Sequence, residues 1–405
     1  MLKLLWIIEF DYAQRLHHGG YLRYFNLAPE LLRLGHQVRF FVRFQGPDAG
    51  QSRLHFQKLK DDGVFTDFIE APRPVNAHRN FLHKLSLHPA TAQSAFESAE
   101  AGTVEAIRSL IQAGDVNALV VSTRTFFPLL ISLNGKAPVC LDYCDAETLA
   151  YSRALRLEAR QFRPHRWFRA LRDLQYVAMQ ERYFGIRGDL NLFVTENDRR
   201  CIERLSGGRS KGIVVGNGVR IPENQGAAKV PKRLIFSGVM TFPPNVAAAR
   251  WFVGKVLPLI VPKHPDVQFV IAGADPAPEV LALASKNVTV TGFVEDLYAE
   301  IAKSSIYVAP IVSGTGFRNK VVEALVNGTY VVSTPFGVEF LSPEIRELLE
   351  IAEQPAAMAD RVSWLLSHPD AVGDRMKNLQ PLVEEQFHWS GRARELSEAL
   401  ERMGQ

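Results

Sequence analysis

Short runs rich in Val, Ile, Leu and Phe alternate with longer amphipathic stretches along the whole chain. The runs expected to form strands are Leu2–Ile8, Val38–Phe44, Ala118–Ser122, Val139–Asp142, Leu190–Val194, Gly212–Val215, Arg233–Ser237, Val267–Ala272, Val288–Thr291, Ile306–Ala309 and Thr329–Ser333. Between them, helical patterning covers Tyr21–Leu34, Ala95–Gln112, Asn245–Ile260, Leu297–Lys303, Arg318–Val326, Met358–Ser367 and Arg392–Met403. Strands that are apolar throughout belong to sheets covered on both faces, and strands alternating with helices make those sheets parallel. The predicted class is therefore α/β, in doubly wound domains. A Gly-, Pro- and polar-rich stretch at 217–232 interrupts the series and reads as a linker. This gives one domain at 1–216, a second at 233–385, and a last helix at 386–405 expected to pack back on the first.

A length of 405 residues fits two domains, and 47% hydrophobic with 22% charged residues fits a globular protein. The net charge of +4 is too small to imply nucleic-acid binding. Cys140, Cys144 and Cys201 are too few for a disulfide framework and predict a reducing, cytoplasmic setting. The first residues turn acidic without a cleavage site, so they read as a strand rather than a signal peptide. No window approaches the length of a spanning helix, and the longest candidate, Phe126–Leu133, contains Pro128.

Chemistry concentrates after the strand ending at Ala309. A loop, Ser313–Gly316, leads into a helix that opens near Phe317 and Arg318. The free N–H groups and positive dipole end of such a helix suit a phosphate, and Gly314 and Gly316 allow close approach. Arg318 and Lys320 put cations in the first turn, where they normally oppose the dipole. An anion at that place would resolve the conflict. Glu323, three residues after Lys320, shares its face. A cation for a diphosphate and a carboxylate for vicinal hydroxyls fit a sugar nucleotide; a solvated Lys–Glu pair fits the same spacing.

The block GFRNKVVEAL followed by NGTYVVST resembles the donor-site signature of GT-B glycosyltransferases of family 4, the group 1 glycosyl transferases. It is most similar to the subgroup of exopolysaccharide assembly. FSGVMTFPPN, FVIAGADP, VTVTGFVEDL and IYVAPI follow in the family's order, and HHGGYLRYF resembles its opening glycine loop. The resemblance implies two Rossmann-like domains facing across a cleft, and retaining, metal-independent transfer of a sugar from a nucleotide-diphosphate sugar, with no cofactor. It implies that Lys320, helped by Arg318, holds the diphosphate and stabilises the leaving group, and that Glu323 accepts from the ribose. Phe293 and Val294 would contact the base by their backbone. Gly314, Thr315, Gly316 and Phe317 would lie along the sugar and phosphates. Gly19 and Gly20, with His18, would form the phosphate and acceptor loop. The acceptor would be a saccharide or a lipid-linked sugar.

The sequence departs from the family at three places. Thr315 stands where many members carry the first of two glutamates. The Arg and Lys usual after the first C-terminal strand are missing from SGVMTFPPN. The usual N-terminal His is replaced by the region of Asp142 and Asp145, of which Asp142 is the catalytic candidate. No D-x-D triplet occurs, and Cys140 and Cys144 lack partners for zinc. A nucleotide-sugar epimerase of the same fold and a catalytically degenerate sugar-binding protein remain alternatives. A nicotinamide dehydrogenase is disfavoured, because the Gly314–Asn319 loop lacks the third glycine of the dinucleotide fingerprint. Arginines recurring from Arg153 to Arg169, with Trp167 and Phe168 interleaved, suit either peripheral contact with an anionic membrane or a solvated face.

Overall fold

The computed structural model describes residues 1–14, 19–46, 48–75, 93, 96–133, 135–160, 164–222 and 228–403. The apolar runs pair side by side, every pair parallel, in two sheets. The first sheet holds β1 (Lys3–Phe10), β2 (Gln37–Phe44), β3 (Asp67–Glu70), β4 (Ala118–Val121), β5 (Val139–Asp142), β6 (Leu190–Phe193) and β7 (Gly212–Val214). The second holds β8 (Val230–Ser237), β9 (Gln268–Ala272), β10 (Val288–Gly292), β11 (Ser304–Ala309), β12 (Tyr330–Ser333) and β13 (Glu350–Ile351). Their orders are β3-β2-β1-β4-β5-β6-β7 and β10-β9-β8-β11-β12-β13. Each is the doubly wound order, in which strand sequence reverses beside the first strand. The predicted α/β class is the one found.

The chain divides into two units, 1–217 with 389–405, and 218–388. In the first, successive residues of β1 point to opposite faces, as the pleat requires. Leu4, Trp6, Ile8 and Phe10 join one apolar cluster, while Leu5 and Ile7 join the other. The helix Trp389–Met403 packs into the first of these clusters through Trp389, Ala393, Leu396 and Leu400. His36 fastens it. The Leu2 N–H donates to His36 Nδ1 at 3.1 Å, so Nε2 carries the ring hydrogen and donates to Ser397 Oγ at 2.7 Å.

Two edge strands, β3 and β13, are absent from the sequence expectation. The helix expected over Ala95–Gln112 is helical at 96–99 and again at Ala101–Gln112, with a break at Glu100. Glu100 leaves the helical backbone at φ −113°, and its carboxylate accepts from Arg43 Nη1 at 2.7 Å. The helix expected over Asn245–Ile260 is interrupted by a π-helical turn at Phe252–Val256. Pro258, with no N–H to donate, lies just beyond it. Among the described residues, no helix is long and apolar enough to cross a membrane.

Candidate functional site

In the second unit the order reverses between β8 and β11. Ligands of open parallel sheets bind beyond the strand ends at such a point. Gly238 follows β8 there, and the loop carrying Gly314, Thr315 and Gly316 follows β11. Three strand-end backbones stack closely beside it. The Gly238 N–H donates to Ala272 O at 2.9 Å, and the Gly273 N–H to Gly292 O at 3.0 Å. A Cβ on Gly273 would stand 1.7 Å from Gly238 O, so only glycine fits.

The helix Asn319–Val326 buries Val321, Val322, Ala324, Leu325 and Val326. That leaves Lys320 and Glu323 on its partly buried face. Lys320 reaches over Gly238: a Cβ there would lie 2.2 Å from Lys320 Nζ and 2.6 Å from Asn245 Nδ2. Glycine at this place makes the room in which the ammonium sits. Burial lowers the Lys320 pKa to about 8, with Glu323 pulling it up and Arg318 pushing it down. Burial raises the Glu323 carboxyl above its ordinary value, and Lys320 opposes that. Two phenols share this electrostatic neighbourhood. Burial first, and then the Glu323 charge, push Tyr298 up, while Arg220 opposes. Tyr307 is pushed up by burial too; its OH lies 3.1 Å from Ser237 Oγ, at the end of β8.

The loop itself is bent by Gly314 at φ +102° and Gly316 at φ +82°. Arg318 is folded back over it, its Nη1 donating to the carbonyls of Thr315 and Gly316. The Phe317 ring packs on Phe340 and Phe387, with centroids 4.4 and 5.6 Å away, and so rests, half-buried, against the core. Phe293, just past β10, is 69% exposed, whereas Val294 packs against the core. The structure thus brings Lys320, Glu323 and the glycine loop to one reversal point. The sequence reading missed Gly238, Asn245, Tyr298 and Tyr307. Only a glycine ending the run Arg233–Ser237 signalled the first of them.

Residues 231–368 match the family described as glycosyl transferases group 1. The matched segment is similar to that family over about a third of the chain. It holds Lys320, Glu323 and the glycine loop. A protein of the cps region of Klebsiella pneumoniae, described as uncharacterized and of 44.6 kDa, is 25% identical over 138 residues. That alignment spans 32% of this chain and 36% of the relative, about a third of its length. Solved structures resemble the whole chain in fold. A glycosyltransferase from Rickettsia africae superposes with a TM-score of 0.65 at 14% identity, covering 99% of this chain and 98% of the other. The sucrose-phosphate synthase of Thermosynechococcus elongatus gives 0.67 at 14% identity, with the same coverage. An Anabaena protein solved with UDP and glucose gives 0.61 at 12% identity, covering 99% of this chain and all of the other. The fold is that of the GT-B glycosyltransferases.

Outside the matched segment the expected residues fare differently. His18 lies outside the described residues. Gly19 opens the helix Gly19–Arg33, where a Cβ would meet nothing within 4 Å, and Gly20 is buried. Asp142 requires correction. It is fully buried; Oδ2 accepts from Arg23 Nε at 3.2 Å and from Ser122 Oγ at 2.9 Å, and Oδ1 faces the Cys144 N–H at 3.4 Å. Arg23 continues to Val215 O at 2.7 Å, and Trp6 Nε1 donates to Ser122 Oγ at 2.7 Å. This carboxylate braces the ends of β4, β5 and β7 and, fully buried, exposes no oxygen to a substrate. It leaves the catalytic set.

Proposed function

We propose that the protein moves a sugar from a nucleotide-diphosphate sugar to an acceptor hydroxyl, with retention at the anomeric carbon and without a metal ion. The observation that carries this reading is the Lys320 ammonium lying over Gly238 at the reversal point of the second sheet, beside Glu323 and a helix N-terminus. The bond from the anomeric carbon to the diphosphate breaks with its electron pair leaving on phosphate. The acceptor oxygen bonds to the same carbon, and its proton passes to the departing diphosphate. Lys320 and the N–H groups of helix Asn319–Val326 offset the charge that grows on the leaving group, which is electrostatic catalysis of the strongest kind. Glu323 accepts from the ribose hydroxyls. Arg318 acts one step back, holding the carbonyls of Thr315 and Gly316 so that the loop keeps its bend. Phe317 contributes its backbone, and exposed Phe293 the edge of the base site. The cps-region relative and the Anabaena protein solved with UDP and glucose support saccharide assembly from a uridine donor. A saccharide or lipid-linked acceptor completes the reading.

Calorimetry with UDP, followed by other nucleoside diphosphates, tests it. Lys320→Ala should weaken diphosphate binding by about 1.5–3 kcal/mol, the range for a hydrogen bond to a charged group. Uridine should bind parent and variant alike. Absence of any nucleoside diphosphate binding, or an unchanged affinity in the variant, would sink the proposal.

A further inference from the structure

Between Arg153 and Asp173 the sequence carries seven arginines against two acids, Glu158 and Asp173. The chain as a whole has 47 basic and 43 acidic residues. This one segment, at +5, therefore exceeds the net charge of the entire protein, +4. Its described residues, 153–160 and 164–173, belong to two helices of the first unit, Glu147–Arg160 and Pro164–Arg187, which pack against each other. Arg156 is exposed near the end of the first helix, and Phe168, Arg169 and Arg172 near the start of the second. They occupy the same end of the pair. Phe168 and Arg172 are four residues apart and so share a face. Arg172 pairs with Asp173 at 2.8 Å. Phe168 is 65% exposed, and its ring meets Trp167 edge-on at 5.1 Å.

We propose that this end of the helix pair docks on the surface of an anionic bilayer. Arginines match lipid phosphates in charge and geometry, and an exposed phenylalanine among them reaches the boundary of headgroups and acyl chains. A soluble polyanion would pair with the arginines but give Phe168 no apolar medium. The surface lies outside the segment matched to the glycosyl transferases, and its docking needs no nucleotide.

The test is sedimentation of the full chain with vesicles of phosphatidylcholine and phosphatidylglycerol, against phosphatidylcholine alone. Binding should require the anionic lipid and be released by high salt, because the attraction is screened within a Debye length. The combined variant Arg156→Glu, Arg169→Glu, Arg172→Glu should lose at least about a hundredfold in affinity, at about fivefold per arginine. It should melt with the parent, since all three side chains are exposed. Phe168→Ser should weaken binding severalfold while leaving the salt response in place. Equal binding to neutral vesicles, or an unaffected triple variant, overturns the proposal. Binding of inorganic polyphosphate as tight as that of vesicles, with Phe168→Ser indifferent, would overturn it as well by assigning the surface to a soluble polyanion.

Discussion

Lys320 carries its charge in a place that disfavours it. Its pKa of about 8 lies below the ordinary lysine value because burial penalises the ammonium. The penalty on folding is complete below that value and vanishes as pH rises past the unfolded pKa, so Lys320 costs stability at neutral pH. A bound diphosphate reverses the preference by stabilising the ammonium. UDP affinity should therefore hold level from about pH 7, where its terminal phosphate is largely ionised, to about pH 8 and fall above it, by up to about tenfold per unit. Calorimetry across that range should show the fall in the parent and not in Lys320→Ala; parallel profiles would remove the lysine from the diphosphate site. Lys320 and Glu323 were legible in the sequence because helical spacing alone puts them on one face. The room above Gly238 was not, since it depends on two strands and a helix that only the folded sheet assembles. Asp142 misled because a carboxylate at a strand end reads the same whether it faces substrate or a buried arginine.

Nine of the eleven strands that announced themselves lie inside the sheets, where side chains are covered on both faces; β7 and β10, only partly buried at sheet edges, did so by apolar and β-branched residues alone. The two that did not, β3 and β13, lie at sheet edges. β3 is Asp-Phe-Ile-Glu and β13 only Glu-Ile, short and charged as edges commonly are. The edge charges also have partners: Glu350 of β13 pairs with Arg361 and Arg375. The helix Trp389–Met403 shows how much one element gives a core. Leu396 is fully buried in the cluster that includes Leu27, Leu31 and Val38. Leu396→Ala should cost about 2–5 kcal/mol of stability, the range for a large-to-small change that leaves a cavity. Urea unfolding would measure it, and a cost below about 1 kcal/mol would mean the helix rests only loosely on the first unit.

Each unit has its own apolar clusters, so a ligand held by one should not stabilise both equally. UDP at a hundredfold excess over its dissociation constant should add about 2.7 kcal/mol to whatever unfolds with its site. Hydrogen exchange should show slower amides in β11 and β12 and unchanged ones in β1 and β2. Equal slowing in both sheets would mean that the units unfold as one. The path of the chain has a further consequence. It leaves the first unit after Asn217 and returns to it at Trp389. A ribosome making this protein emits the whole second unit before the helix that completes the earlier one. The half synthesised first is thus the half finished last, and until then the apolar surface around Leu27 and Leu31 waits uncovered, a natural client for a chaperone.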